Sequence, residues 1–138
     1  MLMAVQPQVH LFFPCADASV DEDNSRITIV DPVRVVYLPA DVVYPYPCGP
    51  VFFFVCLFEG VGKFHCRIDV MDDNGKLVAR TKPTTVEFTA DNRFDGFDFI
   101  VLFPGFDLPR AGTYEFSLCA NYVDKPLSTA TIRYLKEM

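Results

Sequence analysis

Apolar residues recur at every second position along much of this chain, and nowhere does a 3.6-residue apolar pattern persist for three turns. In Lys63-Phe64-His65-Cys66-Arg67-Ile68-Asp69-Val70 the residues Phe64, Cys66, Ile68 and Val70 share one face. Thr113-Tyr114-Glu115-Phe116-Ser117-Leu118 places Tyr114, Phe116 and Leu118 together in the same way. A period of two marks a half-buried strand in an antiparallel sheet. Shorter examples run over 26–30, 33–37, 85–88 and 129–134. The chain is therefore expected to be all-β.

Turn signals separate these runs. Asp72-Asp73-Asn74-Gly75-Lys76 carries Asn-Gly, which suits a two-residue type I′ hairpin turn because both positions there need positive φ. Residues 39–50 are rich in proline and read as a long irregular connection, since proline lacks the N–H of a ladder. Residues 105–112 read as a second loop. Strands at spacings near ten residues, with turns between them, predict an immunoglobulin-like antiparallel β-sandwich of about 8–10 strands. The 138 residues suit a single domain spanning 1–138.

The apolar content of 51% excludes global disorder. A formal charge of −6, with no cluster of Lys and Arg, disfavours nucleic acid and anionic membranes as partners. Five cysteines occur, an odd number, without a Cys-x-x-Cys pair and with only two histidines. A zinc site asks for tighter ligand spacing, so no cofactor is expected. Cys56, Cys66 and Cys119 sit in strand patterns where a reduced thiol acts as a small hydrophobe. Reduced thiols, and an N-terminus without a basic leader segment, point to a cytoplasmic protein.

The run Val51-Phe52-Phe53-Phe54-Val55-Cys56-Leu57-Phe58 is apolar on both alternating sets. Eight residues span about 12 Å as helix and about 26 Å as strand, whereas a membrane helix needs about 20 apolar residues. Its aromatic and β-branched content favours a central strand. One set faces the core. The other lies beneath the proline-rich loop or against another chain, and the sequence leaves open which set is which. Phe99–Phe103 has the same two-sided character. The candidate interface is Val51, Phe53, Val55 and Leu57 with Ile100 and Leu102, because unusual apolar surface marks interaction sites.

The order of elements resembles an uncharacterised family of small bacterial proteins, a domain of unknown function. The residues that carry the likeness are the apolar opening Leu11-Phe12-Phe13-Pro14-Cys15-Ala16-Asp17-Ala18, the polar turn and short strand over 21–29, the hairpin Asp72 to Lys76, and Pro109-Arg110-Ala111-Gly112-Thr113-Tyr114-Glu115-Phe116. Around residue 24 the chain departs from the family's Gly-Lys turn and has Asn-Ser-Arg. The resemblance implies an immunoglobulin-like sandwich and brings no catalytic residues.

Enzymatic chemistry finds little footing. A nucleophile needs an adjacent base, yet His65 and Cys66 alternate to opposite faces, and His10 and Cys15 do so on a regular strand. The reading is a non-enzymatic sandwich acting through contacts with a protein partner or with a second copy of itself, as in a homodimer. The alternative is a C2-like sandwich binding calcium or a small ligand through acidic loops, with Asp17, Asp21, Asp23, Asp91 and Asp95 as ligands, because hard cations want several oxygens.

Overall fold

A computed structural model describes residues 5–23, 26–89, 91, 94, 96–121 and 123–137. They form an all-β sandwich with no helix. One layer has the strand order β2-β1-β5-β9, built from β1 (Gln8–Val20), β2 (Ile27–Pro32), β5 (Val51–Phe58) and β9 (Phe97–Phe103). The other has the order β3-β12-β11-β6-β7, from β3 (Val35–Leu38), β6 (Gly62–Met71), β7 (Leu77–Arg80), β11 (Gly112–Ala120) and β12 (Ser128–Lys136). Strand β8 (Thr84–Phe88) shares the far side of β6 with β7. Read as strands B, C, E, F and G, β5, β6, β9, β11 and β12 reproduce the immunoglobulin arrangement of two sheets.

The alternation seen in the sequence becomes the core. Phe64, Cys66, Ile68 and Val70 of β6 and Tyr114, Phe116 and Leu118 of β11 are all buried. They meet Phe53, Val55 and Leu57 of β5 across the gap between layers, with the Phe53 and Phe116 rings 5.2 Å apart. The Tyr114 hydroxyl donates to the carbonyl of Arg110 at 2.7 Å, four residues upstream. This is the tyrosine-corner contact of immunoglobulin-like sandwiches, and it explains the Tyr in Gly112-Thr113-Tyr114.

Three local expectations need correction. The hairpin after β6 is not a type I′ turn: Gly75 has φ +78°, but Asn74 is not among the positive-φ residues. Instead Asp72 closes the loop. Its backbone N–H donates to the Lys76 carbonyl, and its carboxylate accepts from the N–H groups of Asn74 and Lys76, each at 2.9 Å. That side-chain-to-backbone bonding selects a longer loop with one left-handed residue, and the register shifts next to it, between Val70 and Met71.

The sheet pairing is also not wholly antiparallel, because β3 runs parallel to β12. The chain crosses from one layer to the other in the short link between β2 and β3, and this lets β3 enter alongside the last strand. Finally, the two expected loops pair with each other. Tyr46–Pro47 (β4) and Asp107–Leu108 (β10) form a two-stranded ribbon, extended by a bond from the Cys48 N–H to the Phe106 carbonyl at 2.9 Å. Pro47 takes a place in this ribbon because a proline still offers its carbonyl.

Candidate functional site

Strand β5 decides which surface is free. Val51, Phe53, Val55 and Leu57 are buried in the core cluster between the layers. Four of the six residues expected at an interface are thus unavailable to any partner. Facing the second layer buries them against β11 and β6, a choice the sequence left open because the opposite set is equally apolar. Ile100 and Leu102 do lie on the outer face, and Leu102 is 50% exposed.

The outer face is assembled by strand register. Phe52, Phe54 and Cys56 of β5 stand opposite Leu102, Ile100 and Asp98 of β9. On the other side they stand opposite Cys15, Phe13 and Leu11 of β1. The Phe13 and Phe54 rings are 5.6 Å apart, and His10 packs edge-on against Phe58. The result is an apolar row across three strands, edged by half-exposed Leu11 and Leu102. The proline-rich connection does not form its lid: Val42, Tyr44, Tyr46 and Cys48 pack against the core cluster instead. Leu11 and Phe13 escaped sequence reasoning because only pairing with β5 shows which side of β1 they occupy.

Strand β1 is irregular, with a register shift between Val9 and Leu11. The face argument for His10 and Cys15 therefore does not apply, but distance keeps them apart. His10 sits at Phe58 and Cys15 pairs with Phe52, at opposite ends of β5 and about 20 Å apart along the strand. His65 is exposed, with its Nδ1 3.0 Å from the Thr85 hydroxyl, while Cys66 points into the core. Burial pushes Cys66 up to about 11. Burial, and then the hydrogen bond to Asp98, do the same to Cys56, also to about 11.

The acidic residues do not converge. Asp17, Asp21 and Asp23 lie toward the Val20 end of β1, where Asp17 and Asp21 accept bonds from the N–H groups of Ala18 and Asp23. Asp91 follows β8, whose Phe88 packs on Phe97 at the opposite end of the sheet. Length explains the separation: the thirteen residues of β1 span about 40 Å. Among the described residues no group of three or more His, Cys, Asp or Glu is placed to hold a metal ion. Asp95, and Asn24 and Ser25 of the turn that departs from the family pattern, lie outside the described residues.

An ionic cluster not anticipated from sequence lies on the outer face of the second layer. Asp69 is only 6% exposed and accepts bonds from Arg80 at 2.8 Å and Arg67 at 3.2 Å. Burial alone raises its carboxyl, but the bonds from Arg80 and Arg67 outweigh this and leave it below the usual carboxylate range. Asp72 and Asp73 similarly receive Arg110. Both clusters tie neighbouring segments of the second layer together.

No helix among the described residues is long and apolar enough to cross a membrane. No protein-family model matches the chain, and no curated protein matches it. Among solved structures it is similar to part of a β-glucuronidase from glycoside hydrolase family 2. The two share 10% identity with a TM-score of 0.44, over 66% of this chain and 10% of that one, a likeness too slight to carry an activity across.

Proposed function

We propose that this chain is a non-enzymatic sandwich that acts through protein contacts made on the outer face of the β2-β1-β5-β9 layer. The observation that carries the reading is the partly exposed apolar row Leu11, Phe13, Phe52, Phe58, Ile100 and Leu102, in which Leu11 and Leu102 are the most exposed, since apolar surface of this kind marks interaction sites. The free edge of β9 supports it. The layer's other edge, β2, is guarded by Asp31 at positive φ and by Pro32, whereas Phe97–Phe103 has neither device. A second copy of the chain is the occupant we favour, because an antiparallel β9 pair centred on Ile100 sets Asp98 against Leu102 and opposes no like charges.

The reading as a non-enzyme is supported by the separation of both histidines from the cysteines. Five free thiols support a cytoplasmic location. The hairpin at Asp72 and the corner at Tyr114 give structural roles to two of the motifs that carry the likeness to a small bacterial family. Light scattering over a wide concentration range tests the interface. The wild type should assemble, and Leu102→Asp should remain a folded monomer by circular dichroism. A wild type that stays monomeric at every concentration, or a Leu102→Asp variant that assembles as before, overturns self-association through this face.

A further inference from the structure

We draw no further inference here: the strongest candidate, the open groove along residues 6–13 at the half-edge of β1 that β2 leaves unpaired, walled by Leu127 and Ser128 at the start of β12, carries nothing, because the register shift after Val9 blunts that edge as a template for another strand and nothing in the structure shows what covers it.

Discussion

Asp69 shows how a single residue can be strand-patterned in sequence and electrostatic in the fold. It occupies an outward position of β6, yet Arg67 two residues away and Arg80 on β7 cover it. Asp69→Asn keeps the shape and removes the charge. We expect a loss of about 1–3 kcal/mol in urea unfolding at pH 7, toward the lower end because solvent screens both half-exposed arginines. The pH dependence has a definite sign. The folded-state pKa is depressed, so the contribution is complete above the unfolded-state value of about 4 and fades as pH falls through the folded-state value. The gap between wild type and Asp69→Asn should therefore close on acidification. An equal gap at pH 7 and at pH 3 would show that the arginines do not hold this carboxylate.

At the scale of elements, the two faces of β5 are alike in composition and unlike in energy. Phe53→Ala removes a ring packed between Phe12 and Phe116, and should cost about 3–5 kcal/mol. Phe52→Ala, on the outer row, should cost about 1 kcal/mol because the ring is only half-buried. Comparable losses in chemical denaturation would contradict the assignment of the core face. The β6–β7 hairpin offers a second test. A Cβ on Gly75 would meet nothing within 4 Å, so Gly75→Ala isolates the backbone term of a left-handed residue. It should cost about 1 kcal/mol, and Gly75→Asn less, since Asn tolerates that conformation. If Asn74→Ala proved the more damaging change, the type I′ geometry would be restored.

For the whole molecule, the separation of the acidic groups to opposite ends of the first layer predicts indifference to calcium. Millimolar Ca²⁺ should leave the melting temperature where Mg²⁺ at matched ionic strength leaves it, because only a ligand that binds the folded state raises it. A selective upward shift would revive the acidic loops as a site. Thiol titration of the denatured, unreduced protein should recover all five cysteines present in the chain. Recovery of one would mean two disulfides and remove the support for a cytoplasmic location.

What the sequence determined by itself was everything that depends on local period. Alternation over Lys63–Val70 and Thr113–Leu118 fixed both the strands and their inward faces, because a polar residue at every second place leaves one way to bury the rest. The two-layer class followed from the number and spacing of such strands. Where both alternating sets are apolar, as in β5, period carries no sign. Only the packing of Phe53 on Phe116 assigned the core, and it turned the expected interface inward. The contact row joining Leu11, Phe52 and Leu102 depends on the pairing of β1, β5 and β9, which are far apart in the chain. The Asp69 cluster is likewise tertiary. It depends on which groups the fold brings near, and hydrogen-bond partners distant in sequence leave no periodic trace.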